Sequence, residues 1–273
     1  MNLKINTLYF SATGTTEKIV NRIAQIIAKN FSEKTAVNTI DFTRPEARKK
    51  TFSFDKNDIV IFGIPVYAGR VPNVLLKFLN TISGNGAKAV AIVLYGNRNY
   101  DDALIEFKDI LESDGFDVIA GGAFIGEHSF SVTLAAGRPD QQDMALAADF
   151  ADKITNKIKT VRDGFDIIVR GNKPYRDYYR PKDPDGNPVS ILKVTPKTNS
   201  NCTDCKLCCE ICPMGSIDWD DVSNITGICI KCGACIKKCP VDAKYFDDEK
   251  YLRHKQELED ELTPIRREPE YFV

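Results

Sequence analysis

The chain lacks the sequence features that mark membrane proteins and nucleic-acid-binding proteins. No apolar run approaches the ~20 residues that a membrane-spanning helix needs. The longest runs, at 59–66 and 89–95, have the length of strands. A net charge of −1 gives no electrostatic reason to expect nucleic acid or an anionic membrane as a partner. The N-terminus has no apolar segment followed by a small-residue cleavage site, so no signal peptide is predicted. We expect a cytoplasmic protein without a membrane span.

Cysteine is absent from the first 201 residues, and all nine cysteines lie between Cys202 and Cys239. A disulfide framework is typical of small secreted proteins. So many cysteines in one short segment of a cytoplasmic chain are better explained by a metal site. The length of 273 residues is long for one domain and suits two.

The first 160 residues alternate between strand-like and helix-like segments. Apolar strands are predicted at 3–10, 36–41, 58–63, 87–95 and 118–126. Helices are predicted at 15–29, 72–82, 101–113 and 141–159. Continuous apolar strands between helices indicate a parallel sheet covered on both faces. We therefore predict an α/β, doubly wound, five-stranded domain over 1–160, with its ligand beyond the carboxyl ends of the strands.

Three further segments follow this domain. Residues 161–195 are rich in proline, tyrosine and basic residues, which predicts a linker or an ordered covering loop. Residues 196–245 form the cysteine-rich domain, and 246–273 form an acidic, partly helical tail. Arg170–Lys182 of the linker suggests three roles: docking an acidic partner, folding over the ligand, or connecting the domains.

The cysteine spacing C-x2-C-x2-C-x3-C-P occurs twice and predicts two [4Fe–4S] clusters. Paired zinc sites are the alternative, but four-cysteine zinc sites usually show two C-x2-C pairs with a long spacer. The segment resembles the bacterial two-[4Fe–4S] ferredoxins, in which the fourth cysteine of each run binds the other cluster. This resemblance implies a small α+β domain and two ligand sets. The first set is Cys202, Cys205, Cys208 and Cys239, and the second is Cys229, Cys232, Cys235 and Cys212.

Cys209 is an extra cysteine beside the predicted ligand Cys208. A buried bystander, an alternative ligand and a redox-sensitive thiol are all open for it. Between 196 and 245 the six lysines balance six acidic residues. The strongly acidic docking face of many ferredoxins is therefore not expected.

The loop after the first strand carries hydroxyl groups at Ser11, Thr13, Thr15 and Thr16, with Gly14 among them. Hydroxyls, a glycine and the start of a helix together favour an anion such as phosphate. An ordinary helix cap is the alternative. The Walker pattern and the pattern G-x-G-x-x-G are both absent. The loop resembles the [ST]-x-T-G-x-T loop of short-chain flavodoxins, which implies that it binds the phosphate of FMN. The implied residues are Ser11, Thr13, Gly14, Thr15 and Thr16.

Two more loops, after the third and fourth strands, lie where flavodoxins hold the flavin ring. Tyr67 and Tyr100 are the predicted walls of the ring site, and Asn97 is a predicted contact to its edge. As an alternative, Tyr67 and Tyr95 simply cap the sheet. Arg70 and Arg98 suggest binding of reduced anionic flavin or of an anionic substrate. The full set of predicted ring contacts is Pro65, Val66, Tyr67, Ala68, Gly69, Tyr95, Gly96, Asn97, Arg98 and Tyr100.

The two histidines give weaker signals. His128 follows the fifth strand, where a proton relay is conceivable and a structural role is the alternative. His254 lies in the charged tail and is expected to be solvated.

The whole chain resembles a flavodoxin–ferredoxin fusion, as in the EFR-type ferredoxins of anaerobic bacteria. The resemblance implies FMN, two [4Fe–4S] clusters and redox partner proteins such as a ferredoxin, a flavoprotein or another oxidoreductase. We hypothesise electron transfer between the flavin, the clusters and these partners. A flavin reductase acting on a small organic acceptor and a non-catalytic redox sensor are the alternatives, and the oligomeric state stays open.

Overall fold

The structure, a computed structural model, describes residues 3–161 and 166–273. Residues 162–165, at the start of the predicted linker, lie outside the described residues, as do residues 1 and 2. Six strands form the main sheet: β1 (Lys4–Tyr9), β2 (Val37–Asp41), β3 (Asp58–Pro65), β4 (Lys88–Tyr95), β5 (Asp117–Ile125) and β8 (Glu270–Phe272). The strand order is β2-β1-β3-β4-β5-β8.

The first five strands are parallel, which confirms the predicted doubly wound sheet. In the register of this sheet, Leu8 lies opposite Phe62, and Phe62 lies opposite Ala91. Nearly every side chain of β3 and β4 is buried, because helices cover both faces. The packed helices are α1 (Thr15–Phe31), α2 (Asn73–Leu79), α3 (Ala103–Ser113) and α4 (Gln141–Thr160).

Local sequence explains where the long helices lie. In α1, Ile19, Ile23 and Ile27 recur every four residues and are fully buried against the sheet. The start of α4 is fixed by a capping box. There, Asp140 accepts from the backbone of Asp143, and the side chain of Asp143 accepts from the backbone of Asp140.

Beyond its helix, the C-terminal tail adds a strand to the main sheet. Its helix, α7 (Glu249–Leu262), is present, but β8 then pairs antiparallel with the edge strand β5. The ring of Tyr271 lies 5.0 Å from that of Phe150 in α4. Three residues are too short for a recognisable strand pattern, and their partner lies about 150 positions away. His254 is buried and stacks on Tyr179, so its predicted solvation is wrong.

The cysteine-rich domain is small and carries little regular structure. It contains the short helices α5 (Leu207–Ile211) and α6 (Ala234–Lys237) and a two-stranded sheet of β6 (Lys197–Thr198) and β7 (Lys244–Tyr245). Residues 172–178 of the linker before it pack on α3 and on the loop after β3. The hydroxyl of Tyr178 donates to the carbonyl of Val71 at 2.8 Å, and the backbone N–H of Arg176 donates to Asp102 at 2.7 Å. No helix in the described ranges has the length and apolar character needed to cross a membrane.

Candidate functional site: two cysteine-lined cavities and a hydroxyl-lined cavity

Four predicted ligands of the first cluster surround one cavity. Its empty volume is about 360 Å³. Positive φ angles at Asp204 (56°) and Lys206 (62°) curl the first cysteine run around it. The cysteines on its wall are Cys202, Cys205, Cys208 and Cys239, joined by Cys235. The fourth cysteine of the second run therefore lies with the first three of the first run.

A second cavity, of about 420 Å³, gathers the other predicted set. Positive φ angles at Lys231 (54°) and Gly233 (74°) turn the second cysteine run in the same manner. The cysteines on its wall are Cys212, Cys229, Cys232 and Cys235. The exchange of fourth cysteines that the ferredoxin resemblance implies is thus present in the placement of the side chains.

The donor set of these cavities fits iron–sulfur clusters. Among the described residues, no three His, Cys, Asp or Glu side chains are gathered as closely as a single metal ion would require. The cysteines line cavities instead, and their sulfurs accept backbone N–H bonds of 3.4, 3.4 and 3.2 Å at Cys202, Cys212 and Cys239. Such bonds stabilise thiolate ligands and tune a bound cluster.

The cysteines of the two cavities differ in the pKa values of their thiols. Burial raises the pKa of Cys232 to about 12, and the neighbouring cysteines Cys212 and Cys229 add to the rise. Burial also acts on Cys239, but three backbone N–H groups hold its pKa below the ordinary value. A buried set of thiols with raised pKa values needs metal cations to become thiolates.

Cys209 lies outside both cavity linings. Its thiol donates to the carbonyl of Asp218 at 3.3 Å. Burial raises its pKa to about 11, and Cys208 adds to that rise. A protonated, hydrogen-bonded thiol is a poor ligand and a poor nucleophile, so this arrangement favours the structural role among the three alternatives.

A third cavity, of about 500 Å³, lies at the carboxyl ends of the central strands. This edge is where doubly wound sheets bind their ligands. Three hydroxyl residues of the first loop, Thr13, Thr15 and Thr16, lie on its wall. Gly14 adopts φ 95° at the N-cap of α1, and a Cβ built on it would meet nothing within 4 Å. An open, hydroxyl-lined helix N-terminus fits a phosphate group.

One hydroxyl of this loop, that of Ser11, caps the helix as the alternative interpretation expects. The hydroxyl of Ser11 accepts the backbone N–H of Glu17 at 3.1 Å. Ser11 and Gly14 are absent from the wall of the third cavity, whereas the three threonines form part of it. The loop therefore divides its hydroxyls between capping the helix and facing the cavity.

The predicted ring contacts also divide into two groups. Pro65, Val66, Tyr67, Tyr95 and Gly96 line the third cavity.

The structure does not bring the other predicted ring contacts to this wall: Ala68, Gly69, Asn97, Arg98 and Tyr100. Instead, the amide of Asn97 donates to the carbonyls of Leu262 and Ile265 in the tail, at 3.1 and 2.7 Å. Tyr100 is fully buried and donates its hydroxyl to Glu270.

The two arginines that suggested an anionic ligand each form an ion pair within the protein. Arg70 forms a bidentate pair with Glu106, at 2.7 and 2.8 Å, and its guanidinium lies 4.9 Å from the ring of Tyr175. Arg98 pairs with Asp101 and lies over the ring of Tyr179. Neither charge is free to receive an anionic substrate, because each is held by a carboxylate.

Residues after β5 complete the third cavity, among them Gly126, Glu127, His128 and Ser129. His128 was recognisable as a candidate because it follows a predicted strand. Burial lowers its pKa to about 3, and the nearby Lys237 adds to that effect. His128 is therefore neutral at physiological pH, and its Nδ1 accepts the backbone N–H of Phe130 at 3.2 Å.

The two domains meet at the third cavity. Cys232 lines both the second cavity and the third. The ammonium of Lys237 pairs with Glu127 at 3.1 Å across this contact. Tyr67, on the wall of the third cavity, has its pKa raised by burial and by its nearness to the ionisable sulfurs of Cys232 and Cys229. A ligand in the third cavity and a cluster in the second therefore share a wall.

Gly233 makes this close approach possible. A Cβ at Gly233 would lie 2.3 Å from the backbone oxygen of Ser129, whereas a Cβ at Gly186 would meet nothing within 4 Å. Both glycines have positive φ, 74° and 85°. Gly233→Ala should therefore reduce the free energy of unfolding by about 1–3 kcal/mol more than Gly186→Ala, because only the first adds a clash.

Urea unfolding of both variants, with iron content checked first, measures this difference. Equal losses of stability in the two variants would show that the contact at Ser129 is not tight.

Sequence comparison matches two segments of the chain to known domain families. Residues 7–115 match the model of a flavodoxin domain, and residues 225–245, which hold the second cysteine run, match that of a 4Fe–4S binding domain. These matches confirm the predicted join of a flavodoxin domain to an iron–sulfur domain. The matched families imply FMN and a 4Fe–4S cluster.

Solved flavodoxins are similar to the first half of the chain. An archaeal flavodoxin is 16 % identical, with a TM-score of 0.41 over 57 % of this chain and 99 % of its own. Flavodoxin 2 of Bacillus cereus is 19 % identical, with a TM-score of 0.39 over 56 % and 99 %. A Fusobacterium nucleatum flavodoxin bound to flavin mononucleotide is 20 % identical, with a TM-score of 0.37 over 57 % and 96 %. No curated protein matches the chain.

Proposed function

We propose that this chain, a flavodoxin domain joined to a 4Fe–4S binding domain, passes electrons between one FMN, two [4Fe–4S] clusters and external redox proteins. The observation that carries the proposal is the double position of Cys232. This cysteine lines the second cluster cavity and the cavity at the carboxyl ends of the sheet. A cluster and a flavin on the two sides of one residue are close enough to exchange electrons.

The chemistry of the two groups is complementary. FMN exchanges electrons singly or in pairs, whereas each cubane carries one at a time, so the combination links two-electron reactions to one-electron carriers. The protein's part is to bind, orient and shield the groups and to set their potentials. Its neutral His128 and its ion-paired Arg70 fit a site that holds a flavin without recruiting an anionic substrate.

The phosphate of FMN would lie at the N-terminus of α1, held by the hydroxyls of Thr13, Thr15 and Thr16. The ring would lie toward Tyr67 and Tyr95, on the same cavity wall. Backbone N–H groups and hydroxyls suit the phosphate, and the flat tyrosine rings suit the isoalloxazine.

Exposure distinguishes the two cluster sites. Cys205, a predicted ligand of the first cluster, is exposed, whereas Cys232 of the second is partly buried at the domain contact. This contrast supports an order in which an external protein meets the first cluster and the second cluster faces the flavin.

The two alternative functions have weaker support. The flavin-reductase hypothesis drew on Arg70, Arg98 and an open flavin pocket, and both arginines are paired with carboxylates. The sensor hypothesis drew on the clusters or on Cys209, and the thiol of Cys209 is hydrogen-bonded to a backbone carbonyl.

Cofactor content tests the proposal. Protein purified without oxygen should hold about eight iron atoms per chain, four for each cubane, and one releasable FMN. Iron and acid-labile sulfide assays, metal analysis and flavin fluorescence after denaturation measure these contents. Four or fewer iron atoms, or stoichiometric zinc, would rule out two clusters.

A further inference from the structure

Two lysines are buried among the described residues, and each lines a different cluster cavity. Lys231 is 7 % exposed and lies on the wall of the second cavity. Lys244 is 3 % exposed and lies on the wall of the first. The domain holds six lysines and six acidic residues. It therefore has no excess of negative charge that would attract these two lysines into its interior.

Neither buried ammonium has a carboxylate partner. Nζ of Lys231 donates to the carbonyls of Leu192 and Cys229, both at 2.9 Å. Nζ of Lys244 donates to the hydroxyl of Thr198 at 2.7 Å and to the carbonyl of Val222. The charge of Lys244 contributes to lowering the pKa of the exposed Asp221, but the two side chains do not form an ion pair.

The one arginine buried among the described residues contrasts with these lysines. Arg138, which is 6 % exposed, pairs with the carboxylate of Asp143. A buried ammonium without an anion is costly. The two lysines therefore indicate that each cavity holds an anionic group, and a cubane with four thiolate ligands is anionic.

We propose that Lys231 and Lys244 are the counter-charges of the second and first clusters and raise their reduction potentials individually. This inference rests on the proposed function. When a cluster accepts one electron from the flavin or from an external reduced protein, its negative charge grows by one and no bond changes. A fixed ammonium nearby stabilises the added electron, and burial makes the effect large because little water screens it.

The carbonyls that hold each ammonium also fix its place. Leu192 belongs to the segment before the cysteine domain, and its carbonyl binds Lys231 at 2.9 Å. Val222 lies in the turn between the two cysteine runs, and its carbonyl binds Lys244. Both lysines are therefore positioning charges, not ligands, and substitution should change a potential more than the iron content.

The test uses the full chain with its clusters, titrated without oxygen and followed by electron paramagnetic resonance. Lys231→Gln and Lys244→Gln remove the charge and retain a hydrogen-bond donor. Lys193→Met is the control, because Lys193 is exposed in the segment that precedes the cysteine domain. Lys231→Arg and Lys244→Arg keep the charge. If a Gln variant does not load iron, the corresponding Met variant is measured.

The expected result is about eight iron atoms in every variant. Lys231→Gln should disfavour reduction of one cluster by about tenfold or more, which is 59 mV for one electron. Lys244→Gln should do the same to the other cluster, and the Arg variants and Lys193→Met should match the parent.

Unchanged potentials in loaded Gln variants would overturn the inference, as would equal shifts of both clusters in each variant. A parent protein with only one cluster signal or with four iron atoms would instead overturn the proposed function.

Discussion

Cys232→Ala is expected to lower the iron content from about eight to about four atoms per chain and to disconnect the flavin from the remaining cluster. Alanine cannot bind iron, so the second cluster loses one of its four ligands. The side chain lies between the second cavity and the flavin cavity. Its loss therefore removes the carrier next to the flavin, while the first cavity keeps its own four cysteines.

Iron analysis and the rate of cluster reduction after flavin photoreduction measure both effects. Cys209→Ala is the matched control, because Cys209 bonds to Asp218 and lines neither cavity. It should keep about eight iron atoms and the parent rate. If Cys209→Ala lost iron while Cys232→Ala retained it, the ligand assignment would be incorrect.

Replacing Thr13 and Thr15 together with valine is expected to weaken FMN binding strongly and to leave the iron content unchanged. Both hydroxyls line the flavin cavity at the start of α1. Valine has nearly the same shape as threonine but cannot donate to a phosphate. Each lost hydrogen bond to a charged group costs about 1.5–3 kcal/mol, so two losses weaken binding by about two to four orders of magnitude.

Fluorescence titration of the flavin-free protein with FMN measures this affinity, and the iron assay reports on the other domain. Thr160→Val serves as the control. Its hydroxyl donates to Asn156 at the far end of α4, so FMN affinity should not change. Parent affinity in the double variant would contradict the assignment of the phosphate loop.

The parts of the fold that local chemistry determines were predictable. Helix α1 follows from apolar residues spaced at Ile19, Ile23 and Ile27, all buried on one face. The central strands follow from unbroken apolar runs such as 59–64. Cysteine spacing likewise indicated that the first three cysteines of each run share a cavity, and the ferredoxin resemblance implied the exchange of the fourth.

The errors came from contacts between distant parts of the chain. Asn97 and Tyr100 follow a strand, as ring contacts in this fold do, but the tail binds both through Leu262, Ile265 and Glu270. These partners lie about 165–170 positions away. A pairing of that range leaves no periodic signal, and neither does a three-residue edge strand.

The contact between the domains was also beyond the sequence. Nothing in the sequence around Gly233 indicates its close approach to Ser129. Cys232 was assigned as a ligand without any sign that it also borders the flavin cavity. Two separate motifs reveal two sites, but their distance depends on how the domains pack.

The central claim is that the flavin and the clusters exchange electrons within one chain, and flash reduction of bound FMN tests it most directly. The rate of cluster reduction is followed at several protein concentrations. The account predicts a first-order rate that does not depend on concentration and that disappears in Cys232→Ala. A rate that rises in proportion to protein concentration, or an intact flavin that reduces no cluster, would contradict it.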